Sequence, residues 1–416
     1  MTKIVILGSG GREHTLAWKL GKEVGEENIY MLPGNGGTWN NYPINPLNFK
    51  AVKSFCEDKN IQWLIVGPED PLAQGIYDYF YDSSTQVLGP SKQAARLEAS
   101  KIWSKHFMIT YGVATGRAVF STDGNSLDAF IHELDGKVVV KYDGLAAGKG
   151  VKVCESSLEA WEAITDIRKK YGNNALFLVE ERLVGREMSV IGLTDGKSIR
   201  LFLPSQDHKQ AYEGDKGPNT GGMGAYCPVP WYTPTHAKAI QKKIIEPTLQ
   251  GICDEHLDYK GILYFGLMIT TKGPRVLEYN VRFGDPETEV ILPALKSSLI
   301  DLIENTLNGS LEKTSPEFYP ETFIDVVLAS GGYPGAYEKG YEITGLEKIS
   351  PDTLLFHAGT KREGEKLVTN GGRVLNVVAR GRNLQEAIEK VYPEVEKIHF
   401  KNKTFRRDIG RREGIV

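Results

Sequence analysis

Cysteine is scarce in this chain: four residues in 416, at Cys56, Cys154, Cys227 and Cys253, with no CxxC pair. That spacing disfavours a zinc site and a disulfide framework, and it fits a reducing compartment. Long apolar runs are missing too. The IVIL run near the start is too short for a signal-peptide core, and no later stretch spans a bilayer, so a cytoplasmic protein without membrane contact is expected. Neither sign of charge dominates. Fifty basic against fifty-three acidic side chains give −3, so no global field draws the chain to nucleic acid, and any anion must be held by local geometry. GxxxxGK[ST], internal repeats and low-complexity tracts are also absent.

What is present is ample apolar material, 41% of the residues, enough for about two to four domains. Up to about Pro90, short apolar runs (IVIL, QWLIVG, QVLGP) alternate with helical patterns, which predicts an open parallel α/β sheet. VVVK and LFLVEE flank a glycine loop and a helix, predicting a small α+β lid lobe at about 114–185. After Asn308, short strands with glycine turns precede a helix at LQEAIEKVYPEVEKI. The expected fold is multidomain α/β and α+β. Its expected parts are an N-terminal domain 1–100, a central domain 101–308 and a small C-terminal α+β domain 309–416.

Five stretches carry chemistry. KYDGLAAGKGVKV (141–153) is barer than a hairpin requires. A lid over nucleotide phosphates explains both the glycines Gly144, Gly148 and Gly150 and the charges Lys141 and Lys149. In LFLVEERLVGREMSV (176–190), Glu180, Glu181 and Glu187 supply acceptors for a purine amino group and ribose hydroxyls. In RVLEYNVRFGDPETEV (275–290), strand alternation sends Glu278, Asn280 and Arg282 to one face. The carboxylate and amide oxygens there suit Mg²⁺, and the guanidinium suits a transferring phosphoryl group. GSGGREH (8–14) follows a strand and opens a helix, so its amides suit a phosphate. Glu13 stands where a dinucleotide fingerprint wants glycine, which argues against a nicotinamide oxidoreductase. SQDHKQAYEGDKGPNTGGMGAYCP (205–228) is a long loop whose amides at 219–224 suit a small carboxylate. Within it, His208 reads more readily as a hydrogen-bonded loop residue than as a base or metal ligand, and Met223 as packed rather than reactive. Arg406, Arg407, Arg411 and Arg412 read as a solvated tail.

Taken together, the chain resembles the glycinamide ribonucleotide synthetase (phosphoribosylamine–glycine ligase) family of the ATP-grasp superfamily. The resemblance runs nearly end to end and is carried by GSGGREH, PGNGGT, VGPEDPL, DGLAAGKG, SQDHK, GPNTGGMGAY, EYNVRFGDPETE, HAGT, TNGGRVL and RRDIG, in the family's order. It implies ligation of glycine to 5-phosphoribosylamine with ATP, through a glycyl phosphate, in purine synthesis. ATP would be held by Lys101 and Lys141 at its phosphates, by Glu180 and the Leu183 backbone at adenine, and by Glu187 at ribose. Glu278 and Asn280 would hold Mg²⁺ or Mn²⁺. The ribose phosphate is expected at Gly10, Gly11, Arg12 and Glu13 with Asn35. Asn219, Gly221, Gly222, Met223 and Gly284 are expected around the substrates, and Asp207, Arg282 and Asp285 are expected to orient glycine or the tetrahedral intermediate. The partners are those small molecules alone, with no nucleic acid, and a monomer is expected. The alternative is another ATP-grasp carboxylate–amine ligase of nucleotide metabolism. The chain departs from the family at Gln210, where arginine is common, and at Glu213, where aspartate is common. Gly266 stands where many ATP-grasp enzymes carry an acid.

Overall fold

The fold is that of a computed structural model, which describes residues 2–122, 124–145 and 150–411. Strands Ile4–Gly8, Ile29–Pro33, Trp63–Val66 and Gln86–Pro90 pair in parallel. IVIL and WLIV are buried along their whole length, as expected of a parallel sheet covered by helices on both faces. The sheet continues beyond this first unit: the long strand Tyr259–Thr270 joins Gln86–Pro90 antiparallel and then pairs with Arg186–Thr194 and Gly273–Asn280. One eight-stranded sheet therefore runs through the first and central parts of the chain.

A separate four-stranded sheet comprises Ala118–Phe120, Phe177–Glu181, Val138–Tyr142 and Val151–Val153. Helices Asn125–Glu133 and Ser157–Tyr171 close its core through Phe130, Ile131, Ala160 and Ile164. Ser156 caps the second helix at the Glu159 amide.

The third sheet is built from two distant segments. Thr322–Ser330, Arg373–Gly381 and Leu354–His357 form its centre, and Gly224–Cys227 and Gln206–Asp207 extend it. The 205–228 stretch is thus not a plain loop. Two of its strands belong to the C-terminal sheet, and between them Gln210–Tyr212 and Lys216–Asn219 form a hairpin. Arg406 overturns the reading of a solvated tail. It is buried, and its guanidinium binds Asp215 (2.9 Å), Asp408 (2.7 and 2.8 Å) and the Gln210 carbonyl (3.0 Å). The Arg407 amide donates to Glu213 (3.1 Å). Gln210 and Glu213, the two departures from the family pattern, both face this C-terminal segment. Arg407 and Arg411 are exposed, and Arg412 lies outside the described residues.

Helix Gly11–Val24 meets the C-terminal sheet through two buried histidines. The His357 amide donates to His14 Nδ1 (2.8 Å), and the rings lie 5.4 Å apart. Burial, helped by their neighbours, lowers His14 to about 3 and His357 to about 4. In the unfolded chain both take up a proton near pH ~6.5. Between that pH and the folded values the unfolded state binds more protons, so stability falls with acidification. Urea titrations from pH 7 to 4.5 should show this loss, and His14→Phe should flatten part of the slope.

Candidate functional site

Helix Lys101–Thr110 begins beside the lid lobe. Ser100 caps it at the Trp103 amide (3.1 Å), and Asp143 accepts from the Ile102 amide (3.0 Å). Lys101 Nζ donates to the Gly144 carbonyl (2.8 Å). One turn further on, Lys105 reaches Glu180 (2.9 Å), which also holds Lys141 (2.6 Å). Lys141 in turn donates to the Leu277 carbonyl (2.9 Å), joining the lid lobe to the main sheet. Lys105, Lys141 and Glu180 are all buried. Burial alone would raise the Glu180 carboxyl, but the two ammonium groups hold it below the ordinary carboxylate range. Lys105 was not found from sequence; its signal is the four-residue spacing from Lys101 on one helix face.

Across this junction stands Glu278, half-buried on Gly273–Asn280. The residue paired with it on the neighbouring strand is Gly266, so no side chain from there reaches it. Lys209 approaches Glu278 at 3.6 Å and Glu187 at 3.9 Å. Burial would raise Glu278, yet Lys209, Lys141, Lys101 and Arg282 hold it low. Lys209 itself is kept well above its usual range, against burial, by Asp207 and Glu278. Lys101, Lys105, Lys141 and Lys209 thus gather around Glu180, Glu278, Glu187 and Asp207. Four ammonium groups converging on one cleft are donors suited to a polyanion.

Asn280 finds partners for its amide nitrogen at Glu98 (3.0 Å) and the Tyr279 carbonyl (3.1 Å), which leaves its oxygen as an acceptor. No cluster of three or more His, Cys, Asp or Glu able to hold a metal occurs among the described residues. Glu287 is committed to Ser189 (3.0 Å) and Tyr264 (2.9 Å). The two oxygen donors Glu278 and Asn280 therefore fit a hard cation that takes its remaining ligands from phosphate and water. Arg282 is not a free cation: it pairs with Glu98 (3.1 Å) and Glu69 (3.4 Å) and donates to the Phe283 carbonyl. Burial pushes Glu98 up to about 7 against the pull of Arg282.

The other predicted nucleotide residues divide. Glu181 lies on the opposite strand face from Glu180 and is engaged by Arg117 (3.0 Å from its amide). Leu183 is half-buried in the connection to the next strand, and Gly150 accepts from the Tyr142 amide. Gly148 and Lys149 lie outside the described residues.

Beside this cleft a cavity of about 680 Å³ opens between the first unit and the C-terminal sheet. Gly10, Asn35, Asp285, Lys361, Arg362 and Arg373 are among its lining residues. Asp285 pairs with Arg373 (3.0 Å), which also donates to the Gly221 carbonyl (2.9 Å). Burial opposes ionisation of Asp285, but Arg373 and Arg12 hold its carboxyl low. Arg12 is buried against Glu13 (2.6 Å) and the Phe283 carbonyl (3.1 Å). Glu13 accepts from the Gly10 amide. A methyl group at Gly8 or Gly67 would sit 2.7 or 2.0 Å from Glu13 atoms, so this bare turn makes room for a carboxylate of the chain itself. Asn35 ties Ser9 to His357 through their carbonyls (3.0 and 2.6 Å).

On the far wall, Gly221 donates to the Tyr333 hydroxyl, and Gly222, at φ 120, packs on Pro286. Asn219 is half-buried in its hairpin, and Met223 lies in the C-terminal core. Asp207 is buried on its strand, and the Gly284 carbonyl accepts from Thr288. Arg373, Lys361 and Arg362 were not singled out from sequence. They come from the C-terminal sheet and its hairpin, and only tertiary folding brings them here.

A lid lobe pinned through Lys141 to a mixed sheet that presents Glu278 and Asn280 defines a protein of the ATP-grasp class, and residues 99–288 match the phosphoribosylglycinamide synthetase ATP-grasp (A) domain. Residues 2–98 match the N domain and 323–412 the C domain of the same synthetase. The chain belongs to the phosphoribosylglycinamide synthetase family. It is 44% identical to a phosphoribosylamine–glycine ligase of Halalkalibacterium halodurans, over 98% of this chain and 96% of that one. The crystal structure of phosphoribosylamine–glycine ligase from Thermotoga maritima superposes with a TM-score of 0.86 at 36% identity, covering 98% of this chain and all of that one. The fold is also shared, at 15% identity and a TM-score of 0.71, by the biotin carboxylase domain of a Hydrogenobacter thermophilus 2-oxoglutarate carboxylase, solved with MgADP. That match covers 97% of this chain and 92% of that one.

Proposed function

We propose that this protein joins glycine to 5-phosphoribosylamine at the expense of ATP, through a glycyl phosphate, releasing glycinamide ribonucleotide, ADP and phosphate in purine biosynthesis. The observation that carries this reading is one short segment. It leaves the strand at Asn280, two residues past Glu278 and its lysines, and arrives at Asp285 on the 680 Å³ cavity wall. Nucleotide phosphates and an amine substrate are thereby brought to the two ends of one turn.

A carboxylate is a poor electrophile because its charge is delocalised and oxide is a poor leaving group, so glycine must first receive a phosphoryl group. Positioning and charge neutralisation dominate such a transfer. Lys101, Lys141 and Lys209 hold the phosphates, while Glu180, Leu183 and Glu187 face the adenosine. Glu278 and Asn280 would hold Mg²⁺ or Mn²⁺, which when bound would neutralise phosphate charge. Arg282, braced by Glu98 and Glu69, and Asp207 orient glycine, and the backbone at 219–224 with Gly284 encloses it. The ribose phosphate enters the cavity near Gly10, Gly11 and Arg12. Asp285 receives the amine, and the leaving phosphate takes the proton released when the C–N bond forms. The chain acts as three parts, 1–100, 101–308 and 309–416, in a monomer, with strands Gln206–Asp207 and Gly224–Cys227 of the central part completing the C-terminal sheet. No helix among the described residues is long and apolar enough to cross a membrane.

The test is ADP formation by purified protein with glycine and phosphoribosylamine supplied singly and together. Turnover should require both; ADP release that ignores the amine would refute the assignment.

A further inference from the structure

Beneath Asp285 four elements meet around a polar chamber. Glu289 enters from helix Thr288–Ala294, Asp325 from Thr322–Ser330 and Asn376 from Arg373–Gly381, and Gly11 forms the fourth side at the start of its helix. All three side chains are buried, Glu289 and Asp325 completely. Both carboxylate oxygens of Glu289, both of Asp325 and both amide atoms of Asn376 lack a conventional partner among the described residues. The nucleotide chemistry above uses none of them.

An ionised carboxylate so placed is costly, because no donor replaces its lost hydration. A proton removes that cost and turns the group into a donor needing an acceptor. The acceptor nearest in the chain is Asp285, four residues back and just ahead of the helix: a methyl group at Gly10 would sit 3.1 Å from Asp285 Oδ2 and one at Gly11 2.5 Å from Glu289 Oε1, so the two carboxyls bear on neighbouring residues of one turn. The charges around the pair assign the proton the same way. Arg373 and Arg12 face Asp285 and keep it ionised against burial. Glu289 is pushed well up, by burial first and then by Asp285 and Asp325, against the weaker pull of Arg373. Asp325 is raised by burial and Asp285. Two carboxyls in contact divide into one acid and one base. Gly11 is also accounted for: a methyl group there would sit 2.2 Å from Asn376 Nδ2 and 2.5 Å from Glu289 Oε1. The last glycine of GSGG, Gly11, thus makes room for this chamber.

We propose that Glu289 is a positioning residue for the amine substrate, which donates its own proton to Asp285 from below and so sets how the Asp285 carboxylate faces the cavity. Asp285 is the one acid among the cavity's described lining residues, so its orientation decides where an amine N–H docks. Asp325 and Asn376 keep the chamber polar without adding a competing charge. The inference rests on the ligase reading for the identity of the amine.

Two measurements separate the inference from that reading. Infrared difference spectra of wild type against Glu289→Gln, in D₂O at neutral pH, need no substrate. They should show the carbonyl stretch of an un-ionised carboxylic acid that the variant lacks. In steady-state assays Glu289→Gln keeps a donor and should leave the KM for phosphoribosylamine within about twofold, whereas Glu289→Leu should raise it about tenfold or more, the usual scale for losing a hydrogen bond to a charged group. The KM values for ATP and glycine should not change. No acid carbonyl band lost in Glu289→Gln, or equal shifts of all three KM values in both variants, would overturn the proposal. Wild-type ADP release that is indifferent to the amine would instead sink the ligase reading while leaving the infrared result standing.

Discussion

Glu278→Ala is expected to lower kcat by about 10³-fold, the scale on which deleting one preorganised electrostatic contact acts at a transition state. The thermal midpoint should move little, because Glu278 is half-buried and Gly266 stands opposite it on the neighbouring strand. Its carboxylate is the negative charge on which Lys209, Lys141, Lys101 and Arg282 all bear. Without it those cations repel one another, yet all four keep other partners: Lys141 at Glu180, Lys101 at the Gly144 carbonyl, Arg282 at Glu98 and Lys209 at Glu187. The cost is therefore concentrated in phosphate placement rather than in folding. Calorimetry beside single-turnover ADP formation checks both halves. Wild-type turnover in this variant would remove Glu278 from the phosphoryl-transfer machinery.

Glu180→Ala should behave in the opposite way and unfold the protein more readily. It would leave Lys105 and Lys141 buried without their shared carboxylate. Breaking a buried ion cluster on one side costs about 3–5 kcal/mol, because the stranded charge keeps its desolvation penalty. The pH dependence has a definite sign. The folded Glu180 carboxyl lies below its unfolded value, so its contribution is present above about pH 4.3 and is lost as pH falls through the folded value. Urea denaturation of wild type should show that loss below about pH 4.3, and the variant should keep the histidine-linked loss but lack this part. A companion substitution, Glu180→Met with Lys105→Met, should recover part of the stability by replacing charge with packing. If Glu180→Ala matches wild type in urea at pH 7, the triad is not holding the lid lobe to the sheet.

The legibility of the sequence differed from stretch to stretch. RVLEYNVRF could be read directly, since a period of two places Glu278, Asn280 and Arg282 apart from the buried Tyr279, Val281 and Phe283 whatever the strand pairs with. GSGG was legible as bare backbone but not in its cause, which is a carboxylate from the chain itself at Glu13 and an acid chamber under Gly11. The 205–228 stretch looked like a loop because its strands are short and the one that joins them to the sheet, Gly224–Cys227, finds its partner Thr322–Ser330 about a hundred residues further along. No local pattern records such a pairing.

By itself the amino-acid order determined the main strands and helices outside 205–228, which turns had to stay free of side chains, and that acid, amide and guanidinium share one edge. Those properties follow from the periodicity and sterics of neighbouring residues. Only the tertiary structure decided that Lys105 joins Lys141 at Glu180, that Arg373 crosses from the C-terminal sheet to Asp285, and that Arg406 is buried. Each of these depends on pairing between residues far apart in the chain, where burial strips water from a charge and leaves a distant partner to replace it.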